Sequence, residues 1–288
     1  MQAAKTNNLT YQFKFSKSEH ISFFLCSDIH IDNPKCDREL FFSHLKKARD
    51  KGAKVLINGD LFCLMQGKYD PRRSKKDIRP EHNVANYIDA VIEDTVELLS
   101  PYADILAFVG EGNHETAILK NCETDVLTRF VERFNERNKV NVLRGGYRGW
   151  INILAQANDG NVPYRIYYNH GFGGGGEMTK GILQHSRTNM YIENADAIWM
   201  GHVHEMYALP TQTERFNANA SSNMPETRTV YNLRTGCYKE EFADASGGFH
   251  IERGRQPKPM GGILCQLELM KKKNRSNYLY PSYTIITK

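Results

Sequence analysis

One segment constrains this chain more than any other: Val55-Leu56-Ile57-Asn58-Gly59-Asp60, an apolar run that ends on a glycine and a carboxylate. Four other runs repeat the theme. Residues 21–26 lead to Asp28 and His30, residues 105–109 to Gly112-Asn113-His114-Glu115, residues 164–168 to Asn169-His170, and residues 197–200 to Gly201-His202-Val203-His204. Short apolar runs bounded by turn residues read as buried strands, so the oxygen and imidazole donors fall at strand ends. Helical spacing separates the first of them: Leu40, Phe41, His44, Leu45 and Ala48; Ile88, Val91, Ile92, Thr95, Val96 and Leu99; Val126, Leu127, Phe130, Val131 and Phe134. Strand, donors and helix in alternation predict an α/β architecture with its crevice beyond the carboxyl ends of the strands.

After residue 140 the texture changes to strands and turns, with strands expected at 140–143, 150–155, 164–169 and 197–200, and one helix near 179–189. A polar stretch, 211–226, reads as a surface loop, and further strands are expected at 227–233, 263–270 and 278–286, with Lys271-Lys272-Lys273-Asn274-Arg275 as a hairpin tip. No seam divides the chain, so residues 1–288 are expected to form one domain carrying a basic loop insertion at about 66–82. No apolar run approaches the roughly 18 residues that a membrane helix requires, and residues 1–8 contain no apolar core of a signal peptide. The expected location is cytoplasmic, with no membrane partner. Six cysteines show no C-x-x-C spacing, which fits free thiols better than a zinc ribbon or a disulfide framework. A net charge of +5 is compatible with phosphorylated substrates without requiring nucleic acid.

Along an extended path Asp28 and His30 would lie on the same side, a chelating arrangement. Imidazole and carboxylate donors together suit borderline divalent ions, and Asp60 is placed to bridge two of them. The ordered set D-x-H (Asp28, His30), G-D (Gly59-Asp60), G-N-H-E (Gly112 to Glu115), H (His170) and G-H-x-H (Gly201 to His204) resembles that of the calcineurin-like metallophosphoesterase superfamily over residues 21–205. The resemblance implies a four-layer αββα sandwich. It also implies a two-metal centre, with Asp28, His30, Asp60 and His204 on one ion and Asp60, Asn113, His170 and His202 on the other. Manganese is the first choice of metal, with iron, zinc or nickel as alternatives. His114 and Asp60 would be the catalytic residues. Residues 59–73, Gly112 to Thr116 and Arg234-Thr235-Gly236 are similar to stand-alone phosphoesterases of phages and prophages, and the G-D-L-F opening is similar to the DNA-repair exonuclease branch. The chain departs from the usual G-D-x-x-D, with Cys63 at the second Asp.

The activity so implied is hydrolysis of phosphoesters. Hydroxide held between two ions would attack phosphorus, and His114 would protonate the departing oxygen or bind the phosphate. Glu115 either holds the His114 imidazole or answers the dipole of a following helix. A phosphodiester is the expected substrate, as for a nuclease or nucleotide phosphodiesterase, so nucleic acid or a nucleotide is the expected partner. A phosphomonoesterase or Ser/Thr-type protein phosphatase is one alternative. A non-catalytic interaction scaffold of the same fold is the other, although such a scaffold should have lost ligands and here every position is filled. The diester expectation rests on residues 68–79, which set Lys68, Arg72, Arg73, Lys75, Lys76 and Arg79 against Asp70 and Asp77. Arg72 and Arg73 could grip a second phosphate while Tyr69 stacks on a base. Gly171 to Gly176 formally fits a dinucleotide-binding fingerprint, but His170 just before it is needed by the metal reading. These glycines, with Lys180 nearby, fit a phosphate approach or a lid. The oligomeric state is left open.

Overall fold

The computed structural model describes residues 1–17, 19–64, 78–158, 160–216, 225–242, 254–271 and 277–288. Its strands begin with β1 (Gln2–Asn7), β2 (Thr10–Phe15), β3 (Ile21–Cys26), β4 (Lys54–Asn58), β5 (Leu106–Gly110) and β6 (Leu143–Arg144). They continue with β7 (Arg148–Ala157), β8 (Gly160–Asn169), β9 (Ala197–Met200), β10 (Tyr207–Phe216), β11 (Pro225–Arg234), β12 (Gly261–Lys271) and β13 (Asn277–Thr287). The helices are α1 (Arg38–Asp50), α2 (Tyr87–Leu99), α3 (Asn113–Cys122), α4 (Val126–Asn138) and α5 (Ile182–Asn189).

Two sheets result. One has the order β13-β12-β3-β4-β5-β6 and the other β1-β2-β7-β8-β9-β11-β10. Residues alternate across β3 in both directions because both faces are covered. Phe23 and Leu25 join Phe13, Ile151, Ile166 and Trp199 between the sheets, while Phe24 and Cys26 pack outward against Phe41, Leu45 and Val96. The outer helical layer on that side is α1, α2 and α4, with Ile118 of α3 added. Among the described residues the opposite layer is thin: α5 lies over the far sheet, where His185 Nδ1 meets Tyr207 Oη at 2.8 Å and Asn189 Nδ2 donates to Asn232 Oδ1 at 2.8 Å. The arrangement is the four-layer αββα sandwich, with very unequal outer layers.

Several boundaries differ from the sequence expectation. The stretch 211–226 is not one surface loop. Thr211 to Phe216 complete β10 and Pro225-Glu226 begin β11, paired antiparallel with Arg215 opposite Glu226. β10 is an edge strand bonded on one side, so its outward residues are polar and give no apolar signal. The strand at 140–143 shrinks to Leu143–Arg144, and β1 and α3 were not anticipated. Most of the insertion at 66–82, including Tyr69, Arg72 and Arg73, lies outside the described residues, as does 272–276 of the basic hairpin tip. Of the six cations counted there, Arg79 is described. It turns inward, donating to the Cys36 carbonyl at 3.2 Å. No helix among the described residues is long and apolar enough to cross a membrane.

Candidate metal centre

All seven candidate ligands lie just beyond the carboxyl ends of strands, four of them after three strands of one sheet and three after two strands of the other. Asp28 and His30 follow β3, Asp60 follows β4, and Asn113 opens α3 after β5. From the facing sheet, His170 follows β8, and His202 and His204 follow β9. The chain does not leave β3 in an extended path as the alternation argument assumed. Asp28, His30, Asp60, His202 and His204 all have positive φ, at 54°, 51°, 50°, 72° and 57°. Asp and His tolerate this region better than most residues, yet each instance still costs on the order of 1–3 kcal/mol unless its surroundings impose it. Here they do. The loops after β3 and β4 continue pairing, with Asp28 N to Gly59 O and His30 N to Asp60 O both at 3.1 Å. Gly59 itself (φ 80°) is required, because a Cβ there would meet His170 Nδ1 and the Glu111 carbonyl.

Asp28, His30 and His204 present one ligand atom each within 4.8 Å of one another, and so do Asp60, His170 and His202. Asp60 Oδ2 sits between the groups, 3.3 Å from His170 Nε2 and 4.0 Å from His30 Nε2. Asn113 Oδ1 lies 3.1 Å from His170 Nε2 and 2.8 Å from His202 Nδ1. Asp28 Oδ1 lies 3.4 Å from His204 Nε2. Donors about 2.1 Å from one ion sit about 3.0–3.4 Å from each other, and the Asp60–His170, Asn113–His170 and Asp28–His204 separations fall in that range, whereas Asp60 to His30 is longer.

Tautomers sharpen the point. His170 Nδ1 faces the Asn58 carbonyl at 2.8 Å and must donate to it, which leaves Nε2 with a lone pair toward Asp60 Oδ2 and Asn113 Oδ1. His202 Nε2 likewise donates to the Gly173 carbonyl at 2.9 Å, turning the lone pair of Nδ1 toward Asn113. Lone pairs converge on lone pairs. Only a cation or a proton reconciles such a cluster, and the donor set fits a pair of divalent ions.

The electrostatics agree. Burial opposes ionisation of Asp60, yet His170 and His114 hold its carboxyl well below the usual range. Burial would likewise depress His170, but the Asp60 and Asp28 carboxylates outweigh it and raise the imidazole to about 9, a proton taking the place of a cation. His30 and His202 are lowered, first by burial and then by His114 and His170 respectively. Burial alone would also lower His204, which is instead raised well above its ordinary value by its contacts with Cys237 and Asp28.

Around these residues lies a supporting shell that the sequence did not reveal. Ser27 Oγ donates to Asp28 Oδ2 at 2.5 Å and meets Thr235 Oγ1 at 2.7 Å, while the His202 backbone N–H donates to the same carboxylate oxygen at 2.9 Å. His114 Nδ1 donates to the Cys63 carbonyl at 2.6 Å, so its Nε2 faces inward, 3.8 Å from Asp60 Oδ2. The substitution of Cys63 for an aspartate therefore leaves His114 oriented, by backbone alone. Glu115 does not hold that imidazole. Its carboxylate accepts from Gly112 N at 2.8 Å, Asp60 N at 3.1 Å and Phe62 N at 3.0 Å, capping α3 and bracing the Asp60 loop. Burial and the Asp60 charge outweigh those donors and push Glu115 to about 8. Lys180 is exposed at the turn before α5, and Gly173 serves by its carbonyl on His202.

Among solved structures the chain is similar to a predicted phosphoesterase from Streptococcus pneumoniae TIGR4, at 12% identity and a TM-score of 0.31, over 94% of this chain and 99% of that one. It is also similar to Vps29 from Entamoeba histolytica in its complex with zinc, at 12% identity and a TM-score of 0.34, over 92% and 98% of the two chains. No curated protein matches by sequence. The family model of the calcineurin-like phosphoesterases matches residues 21–206, a span that contains every one of the converging donors, and the chain belongs to that family.

Proposed function

We propose that this protein hydrolyses phosphoesters with two divalent ions, and that its substrates are phosphodiesters. The observation that carries the first part is the convergence of lone pairs from His170, Asp60, Asn113 and His202 on one point. Asp28, His30, Asp60 and His204 would hold one ion, and Asp60, Asn113, His170 and His202 the other. Two ions bound there would supply charge for the phosphoryl oxygens and would lower the pKa of a coordinated water. Asp60 would set the spacing of the two halves, since its Oδ2 lies 3.3 Å from His170 Nε2 and 4.0 Å from His30 Nε2. His114 acts on the leaving group: its Nδ1 is tied to the Cys63 carbonyl, and Nε2 is the nitrogen free to give a proton to the departing oxygen. The Asn58 and Gly173 carbonyls set the tautomers of His170 and His202, and burial excludes bulk water from Asp28 and Asp60.

The diester reading is supported by the basic composition of residues 68–79, where Arg72 and Arg73 would engage a second phosphate and Tyr69 a base. Lys180, exposed beside the glycine loop, is the remaining candidate for phosphate. Manganese is the proposed metal. The test is hydrolysis of bis-p-nitrophenyl phosphate, p-nitrophenyl phosphate and single- and double-stranded DNA, each with Mn²⁺ or with chelator. Arg72→Ala with Arg73→Ala should raise KM for an oligonucleotide and flatten its salt dependence while leaving the p-nitrophenyl diester unchanged. A clear preference for the monoester, or unchanged oligonucleotide kinetics in the double variant, would give the assignment to a phosphomonoesterase.

A further inference from the structure

We propose that His30, Cys63 and His114 form a third cation position, selective for a thiophilic ion such as Zn²⁺ or Cd²⁺, whose occupation takes His114 out of the reaction. One donor atom from each residue lies within 4.8 Å of the others. The two imidazoles face edge to face-plane with centroids 4.7 Å apart, and no hydrogen bond joins them. His30 is buried, and its Nδ1 has no hydrogen-bond partner among the described residues. Cys63 is almost wholly buried, and its position is set by its neighbours. Its N–H donates to Asp32 Oδ1 at 2.6 Å, and that of Leu64 to Asp32 Oδ2 at 2.8 Å. Its Sγ accepts from Asn33 Nδ2 at 3.3 Å. Because the carbonyl of the same cysteine orients His114, thiol and imidazole are held in fixed relation.

The donor chemistry differs from that of the neighbouring centre. Two imidazoles with a thiolate suit zinc or cadmium far better than manganese or magnesium, which prefer oxygen. On binding, the thiol proton leaves to solvent and a sulfur–metal bond forms, so one positive charge of the ion is balanced by the thiolate. Because a neutral imidazole offers one lone pair, an ion held here takes His30 from the first ion of the proposed centre, and it would occupy the nitrogen of His114 needed by the leaving group. Inhibition therefore rests on the proposed function, whereas binding does not.

The protein is titrated with Cd²⁺ after treatment with chelator, and cadmium–thiolate charge-transfer absorption is followed. One equivalent should produce the band in the wild type. It should vanish in Cys63→Ser and Cys63→Ala, persist in the Cys122→Ser control, and require at least about tenfold more Cd²⁺ in His114→Ala, since loss of even an outer partner costs 10–100-fold in metal affinity. Asp60→Ala should keep the band, which separates this position from the proposed two-metal centre. In the manganese-loaded protein, Cd²⁺ and Zn²⁺ should inhibit the wild type at least about tenfold more strongly than Cys63→Ser. A band that survives in Cys63→Ser, or that is indifferent to His114→Ala, overturns the proposal. A band that behaves as expected in a protein with no phosphoesterase activity would leave the third position standing and remove only the two-metal hydrolase reading.

Discussion

Asn58 holds His170 from the opposite sheet. Its backbone carbonyl accepts the imidazole Nδ1–H at 2.8 Å, and its side-chain amide donates to the carbonyls of Asn169 at 3.1 Å and Trp199 at 3.3 Å. One buried residue at the end of β4 thereby ties together the ends of β8 and β9, which carry His170 and lead to His202. Asn58→Ala keeps the carbonyl but strips the two cross-sheet bonds, leaving acceptors in a buried place. The expected cost is about 1–3 kcal/mol in stability, with weakened metal retention. Thermal unfolding and elemental analysis of the same preparation check both. Unaltered stability would mean that the two sheets are locked at this end by packing alone.

Asp60→Ala should remove more metal than any other single ligand substitution, because its carboxylate lies between both donor groups. The wild type reconstituted with Mn²⁺ is expected to hold two ions per chain, and the variant close to none, with activity abolished. Fewer than one ion in the reconstituted wild type would defeat the two-metal assignment.

His114→Ala should retain its metal and lose turnover, since its imidazole is oriented by the Cys63 carbonyl and faces the centre from outside the two ligand groups. Loss of a positioned general acid costs on the order of 10²–10⁴ in rate. The defect should be smaller with p-nitrophenolate as leaving group than with an alkoxide. An equal defect on both would assign His114 to binding the phosphate.

Metal uptake should release protons. His170 is raised from 6.5 to about 9 by Asp60 and Asp28 against the effect of burial, so it carries a proton at neutral pH that an ion must displace. That raised value stabilises the metal-free fold fully below pH 6.5 and progressively less as pH rises through about 9. The added stability from metal should accordingly grow over the same window. Calorimetric titration in two buffers of different ionisation enthalpy reads the proton number directly. No proton release at pH 7.5 would contradict the pairing of His170 with the carboxylates.

Much of this was legible in the sequence because the signals were local. The buried strands β3, β4, β5 and β9 are short and mostly apolar, and each ends in a turn whose donors are contiguous or one residue apart. What escaped was either solvent-facing or long-range. β10 is a polar edge, and α3 buries little besides Glu115 and Ile118, so neither has a strong apolar period. The left-handed backbone at Asp28 and His30 cannot be read from composition, since it is imposed by pairing with residues 59–61. The partners that orient the ligands are separated by over a hundred residues, as in Ser27 with Thr235 or Asn58 with Asn169. For Glu115 the sequence offered two roles, and only the position of its carboxylate chose between them.

Arg234 offers the most discriminating test of how the His202–His204 loop is held. It is fully buried, and the oxygen partners of its guanidinium are the Gly201 carbonyl at 2.5 Å, Gln184 Oε1 at 2.8 Å, the Gly181 carbonyl at 3.3 Å and Tyr207 Oη at 3.2 Å, none of them a carboxylate, with Met200 Sδ also in reach at 3.4 Å. A planar fork of five donors can serve four acceptors at once, which an ammonium group cannot. Arg234→Lys keeps the charge and strands at least one buried acceptor, so about 1–3 kcal/mol of stability should be lost. Gly201 immediately precedes His202, and release of its carbonyl should loosen that histidine, a proposed ligand of the second ion. Activity is therefore expected to fall at low Mn²⁺ and to recover as Mn²⁺ is raised, because Arg234 reaches the centre only through the loop. A variant that binds its full complement of metal and still shows depressed kcat at saturating Mn²⁺ would show instead that the guanidinium acts on the substrate.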